Sequence, residues 1–254
     1  RAARARAPSM SISRFAPRRF NPPTDTNAQR LPPPGGFAKR PAMRKSRDPD
    51  SPFQRRRRQR LARWRAPIVT PWDRLKAWVN MVVVDHGIFR LFYLNLHPVG
   101  RRAWRSAQPA PHHLRAFARR GGRSVVSLRG GQAFGSLPLE LEACERAGLA
   151  YHNFVLRSRS LPSREELREM VALLRRLDYP ALFHCKSGAD RAGFMAALYL
   201  VIAEGESVET ARAQLGLRYG HIRQGKTGVL DAFFDAYARD TGGRVPLVEW
   251  METT

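Results

Sequence analysis

The chain of 254 residues carries 45 Lys and Arg against 21 Asp and Glu, a net charge of +24, and only two cysteines. That length holds one ordinary domain with appendages, or two small domains. Two cysteines exclude a disulfide framework and leave no third ligand for a cysteine-based zinc site. The charge does not by itself indicate nucleic-acid binding, because no aromatic-interleaved motif accompanies it.

The charge is unevenly placed. Residues 1–65 hold 19 of the Lys and Arg against Asp25, Asp48 and Asp50 alone, a net of +16, together with ten of the nineteen prolines. Such a segment buries too little apolar surface to offset the entropy of ordering it, so residues 1–66 are expected as a disordered basic tail. Arg55–Arg58 and Arg60 would attract an anionic membrane or another polyanion. A solubilising role for the tail is equally consistent, and Met10 offers an alternative start. No secretory apolar segment is seen near the beginning, and a cytoplasmic, membrane-peripheral location is expected.

Residues 67–100 read as an amphipathic helical extension. Thr70 is placed to cap a helix with Pro71 in its first position. Trp78–Val99 is the one membrane-like stretch, but Asp85, His86 and Arg90 interrupt it, which is costly at bilayer depth. Packing on a core is expected, with a membrane surface as the second option.

From 101 to 242, strand and helix alternate. "AWRSAQP" (103–109), "RSVVSLRGG" (123–131), "YHNFVLRS" and "PALFH" (180–184) read as strands. Helices are expected through Leu114 and Phe117, through "PLELEACERAGLA" to a stop at Gly148, and after Ser163, where Glu166 completes a capping box. Gly193–Glu204, "SVETARAQLGLRYG" and "GVLDAFFDAYARD" complete the helices, and 243–254 is read as a C-terminal tail. The pattern predicts an α/β fold with a central, largely parallel sheet flanked by helices. Ligands of such sheets sit beyond the carboxyl ends of strands, where Cys185 falls.

The loop His184-Cys-Lys-Ser-Gly-Ala-Asp-Arg191 carries the chemistry. The backbone amides of Lys186, Ser187, Gly188 and Ala189, curling into a helix start, favour an anion. Arg191 can chelate two phosphoryl oxygens. Cys185 in that positive field is expected as a thiolate, a nucleophile for covalent phosphoryl transfer. Gly188 is expected to let the backbone approach the phosphate, and Gly193 to allow close packing at the helix start.

This Cys-x5-Arg loop, with His184 before it, an apolar strand leading in and an apolar helix leading out, resembles the signature of the protein tyrosine phosphatase superfamily. The likeness runs over about residues 100–205, including "WRSAQP" and "VVSLRG". It is similar to the compact dual-specificity-like members and to a bacterial branch of them. The resemblance implies a cysteinyl-phosphate on Cys185, phosphoryl binding and transition-state stabilisation by Arg191, support from His184, and neither metal nor cofactor.

Two positions depart from that family. The residue after the arginine is usually Ser or Thr, and here it is Ala192, which predicts slow hydrolysis of the intermediate. Where many relatives place an acidic loop residue, this chain reads "VLRSRSLPS" without Asp. Asp190 is then the candidate general acid, with orientation of Arg191 or a helix cap as its alternative role. Lys186, Arg157 and Arg159 add positive charge, which leaves phosphoprotein and phospholipid substrates both open. His221 or Gln224 could position water, although a surface turn is the expected role of "RYGHIRQGKTG". A non-catalytic phosphate-recognition module is the competing function.

Overall fold

The computed structural model describes residues 52–130 and 134–253, all within the unit Arg47–Thr254. Five strands, β1 (His97–Val99), β2 (Ala103–Ser106), β3 (Ser124–Ser127), β4 (Ala150–Asn153) and β5 (Ala181–His184), form one sheet in the order β1-β2-β5-β3-β4. β1 pairs antiparallel with β2, and every other pair is parallel. The expected α/β architecture is therefore present, with an antiparallel edge.

Alternation along the strands splits the core in two. Val125 of β3 and Leu182 of β5 face α4 (Pro111–Arg119) and α5 (Ser136–Ala147), meeting Leu114, Phe117 and Cys144. Val126 and Phe183 face the opposite side. There they meet α6 (Arg164–Arg176), α7 (Asp190–Ala203), α9 (Val229–Thr241) and α10 (Leu247–Thr253). The helix α7 is buried over Ala192–Leu200, as its apolar composition requires. The Ser163–Glu166 capping box opens α6, and Gly148 in the left-handed region closes α5.

Several segments differ from expectation. The basic tail expected over 1–66 lies outside the described residues as far as 51, but Pro52–Arg65 form a helix, α1. Its end is anchored by Trp64, which packs with Ile68 and Trp78 around Ala77, Met81, Ala110 and Leu139. In the extension, Thr70 caps α2 (Pro71–Val79) through the reciprocal Thr70–Asp73 box, and a π turn (Asn80–Val84) and α3 (Ile88–Phe92) follow. His97–Val99 do not belong to a helical appendage; they are the sheet's edge strand. Nor is 243–254 a tail. Leu247, Trp250 and Met251 are buried, with Trp250 edge-on to Phe233 and Tyr237. "SVETARAQLGLRYG" forms only the short α8 (Val208–Arg212) and a 3-10 turn (Leu217–Tyr219) that begins after the extended Gly216. Among the described residues no helix is long and apolar enough to cross a membrane.

Candidate active site

The loop 185–190 joins the carboxyl end of β5 to the first residue of α7, so the amino end of that helix points into it. Cys185 is on its floor, 1 % exposed, with its own amide donating to the Ser106 carbonyl (3.4 Å).

Each successive carbonyl of the loop is tied down from behind. The Gln108 backbone N–H donates to the Lys186 carbonyl (3.3 Å), and Asn95 Nδ2 donates to that of Ser187 (3.0 Å). Arg105 Nη2 donates to the carbonyls of both Gly188 and Ala189, 2.7 Å each. A peptide unit is planar and trans, so its N–H points opposite to its C=O. Anchoring the carbonyls of 186–189 outward therefore turns the amides of 187–190 inward, into the concavity of an anion nest.

Arg105 is wholly buried in β2 and also donates to the carbonyl of Gln214 and to its side-chain oxygen (3.0 Å). Tyr219 stacks on the guanidinium, 4.1 Å from the ring centre. Burial pushes the Arg105 pKa down to about 10, against the pull of Tyr219, Cys185 and Asp190, and the side chain stays cationic at neutral pH. Asn95 adopts a left-handed backbone (φ +51°), which a short polar side chain tolerates, and it also donates to the Tyr219 carbonyl (2.9 Å).

Gly188 has a backbone reason on the side of β2. At φ +77°, a Cβ there would stand 2.6 Å from the Ala107 amide nitrogen, so the glycine is required by the approach of β2 behind the loop. Gly193 fills its expected role: a Cβ would meet the Gln214 carbonyl at 2.6 Å and Arg105 at 3.0 Å.

His184 is fully buried, with Nε2 2.5 Å from Glu140 Oε1. Glu140 Oε2 accepts from Gln108 Nε2 (3.0 Å), and Gln108 Oε1 accepts from Arg129 Nη1 (2.9 Å). Arg129 in turn grips Asp85, which also meets Arg90 Nη2 at 2.7 Å and Lys186 Nζ at 3.4 Å. Burial alone would raise the Asp85 pKa, but Arg129, Arg90 and Lys186 outweigh it and hold the carboxyl below its ordinary range. Of the residues that interrupt Trp78–Val99, Asp85 and Arg90 thus belong to a buried counter-charge centre, while His86 is exposed. The centre is linked through Arg129, Gln108 and Glu140 to His184, the residue before Cys185.

Arg191 donates from Nη1 to the Leu128 carbonyl (3.2 Å), which holds it at the end of β3. Asp190 Oδ1 is 2.7 Å from His221 Nδ1, and His221 Nε2 is 2.7 Å from Asp231 Oδ2. The segment is the surface turn expected over residues 222–226, Gln224 included, but His221 itself is buried against Asp190 and Asp231. Ala192 is buried in α7 behind the loop. Arg157 stands 3.9 Å from Glu166 at the start of α6. Cys144 is buried on α5, and burial pushes its thiol up, as fits a core residue.

Sequence reasoning brought together Cys185, Arg191, Asp190 and the loop between them. It missed Asn95, Arg105, Gln108, Glu140 and the role of Asp85. Arg105 carries a legible signal, since a charge within a short strand between Ala103 and Ala107 needs buried partners.

Residues 135–211 match the model of the tyrosine phosphatase family. No curated protein matches the chain. The fold is similar to that of P. aeruginosa TpbA, with 21% identity and a TM-score of 0.46 over 63% of this chain and 91% of that one. It is similar to Tk-PTP in its active form, with 22% identity and a TM-score of 0.46 over 57% and 98%. PTPMT1 is similar at 18% identity and a TM-score of 0.44 over 58% and 98%. Cys185, the loop that follows it and Arg191 all lie inside the segment that matches the tyrosine phosphatase family model.

Proposed function

We propose that the chain hydrolyses phosphomonoesters through a cysteinyl-phosphate on Cys185. The observation that carries this reading is the row of carbonyls anchored outward at 186–189, which leaves inward amides above a cysteine. The amides of Ser187, Gly188, Ala189 and Asp190 and the Arg191 guanidinium bind the three phosphoryl oxygens. The Cys185 sulfur attacks phosphorus in line, forming the S–P bond as the ester P–O bond breaks. The departing oxygen takes a proton from Asp190. Both nitrogens of His221 face carboxylates at hydrogen-bond distance, so each contact contains a proton, and Asp190 can pass one on. Water then attacks the phosphocysteine, gives a proton back to Asp190, and orthophosphate leaves with the S–P electrons returned to sulfur.

His184, with Glu140 behind it, positions Cys185, and Lys186 adds charge at the rim beside Asp85. The substrates of this reading are phosphotyrosine and dual-specificity protein sites or phosphorylated lipids. One observation favours a recognition module instead: Ala192 supplies no hydroxyl to help the thiolate leave. The deciding experiment compares wild type with Cys185→Ser on para-nitrophenyl phosphate, with acid-quench trapping of labelled protein. Wild type should release phosphate and trap label on Cys185, and Cys185→Ser should do neither. Wild type that binds phosphate and releases none would make it a recognition module.

A further inference from the structure

The extension has a second apolar face that nothing in the fold covers. On α2 and the π turn, the inward face carries Ala77, Trp78 and Met81, packed around Ala110 and Leu139. The residues between them, Trp72, Leu75, Val79 and Val83, recur at spacings of three and four and form one outward stripe. The exposed apolar series continues along the chain to Phe89 and Phe92 of α3, and these six side chains are 49 to 88 % exposed. Solvated helices normally turn polar residues outward, so a run of this kind marks an interaction surface.

The same face adjoins the catalytic loop. Phe89, Phe92 and Tyr93 form one wall of a cleft of about 740 Å³, Leu217 and Arg218 form another, and Ser187, Ala189 and Asp190 of the loop close it.

The flanking charge selects the partner. The helix α1 contains no acidic residue, its Arg56, Arg60, Arg63 and Arg65 are exposed, and its end packs through Trp64 into the cluster beneath α2. A second copy would bring the same cationic helix, on a chain of net charge +24, against itself. An anionic lipid surface supplies the opposite charge together with an apolar layer for Trp and Phe. We propose that this outward face of α2 and α3 docks the protein on an anionic bilayer, with the cleft beside the catalytic loop opening onto the headgroups. Docking goes beyond the hydrolytic reading and does not depend on it. The apolar docking surface is on the extension, and the flanking charge comes from α1.

The test is sedimentation of the full chain with phosphatidylcholine vesicles, with and without phosphatidylserine, for wild type and Trp72→Ser/Val79→Ser/Val83→Ser. Circular dichroism confirms the fold of the variant, and para-nitrophenyl phosphate turnover reports the active site separately. Wild type should sediment with the anionic vesicles and not with the neutral ones. The variant should bind at least about tenfold more weakly with unchanged turnover, since three inserted apolar side chains are lost. A folded variant that binds the anionic vesicles as well as wild type overturns the proposal, as does wild type that ignores them. So does a wild-type dimer in light scattering that the variant abolishes, which would make the face a contact between copies. If wild type turns over no soluble phosphate yet still sediments, the hydrolytic reading fails and the docking surface stands.

Discussion

Asp85 and Arg129 face each other through two parallel contacts, Nη1 to Oδ2 at 2.7 Å and Nη2 to Oδ1 at 2.8 Å, with the carboxylate wholly buried. A single carboxylate of the extension is thereby the counter-charge shared by Arg129, Arg90 and Lys186. Asp85→Asn leaves three cations without their counter-charge, and urea unfolding should show a loss of about 3–5 kcal/mol.

The same carboxylate sets an acid limit. Its folded pKa lies below the unfolded value of 3.8, so its contribution is full above 3.8 and is lost as pH falls through the folded value. Urea midpoints measured downward from pH 5 should therefore fall for wild type through this window. Asp85→Asn should lack that component, and a parallel decline in both proteins would show that other groups govern the acid limit.

Arg105 is wholly buried and holds two carbonyls of the loop from behind, so it is a positioning residue. In Arg105→Lys, a single ammonium cannot reach Gly188, Ala189 and Gln214 together; the Ala189 carbonyl keeps the Gly193 N–H, but an orphaned Gly188 or Gln214 carbonyl costs about 1–3 kcal/mol. We expect kcat/KM to drop by about tenfold to hundredfold, and the inhibition constant for tungstate to rise in step, because the amides are no longer held inward. A stability loss with unchanged tungstate affinity would assign Arg105 to the fold alone.

Asp190 is tested with a series of aryl phosphates. In Asp190→Asn the rate should fall most for poor leaving groups, which need the proton, and least for para-nitrophenol. His221→Asn should reproduce that slope if the pair delivers the proton jointly. Equal losses across the series would mean that Asp190 only fixes the start of α7.

Ala192 predicts a burst. Phosphocysteine should form faster than it hydrolyses, giving one rapid equivalent of aryl alcohol per enzyme and then slow turnover. Ala192→Ser should raise the steady-state rate several-fold and leave the burst rate unchanged. Linear product formation in wild type, with no trapped intermediate, would remove the assigned rate limit.

The loop was legible because its parts are contiguous. Cys185 to Arg191 carry their spacing with them, and Ser163 with Glu166 mark α6 by a local capping rule. The braces were not legible, because each comes from a distant element. Asn95, Gln108 and Glu140 carry no pattern of their own and acquire a role only when β1, β2 and α5 meet behind the loop. Asp85 and Arg90 were visible as charges in an apolar run. That argues against a membrane span, but their burial depends on Arg129, 44 residues along the chain from Asp85. The helix α10 was missed for a different reason: Leu247, Trp250 and Met251 recur at helical spacing, but over too few residues to separate from a polar end.

The anchored carbonyls have a kinetic consequence outside the chemical steps. A nest assembled before any ligand arrives loses little entropy when an anion enters it. In the hydrolytic reading proposed above, the nest would hold a phosphoryl group by its three oxygens and make no use of the rest of the ester, so free orthophosphate would fit it as readily. Product should therefore compete with substrate, and the phosphate level of the surroundings becomes a brake on turnover that requires no separate regulatory site.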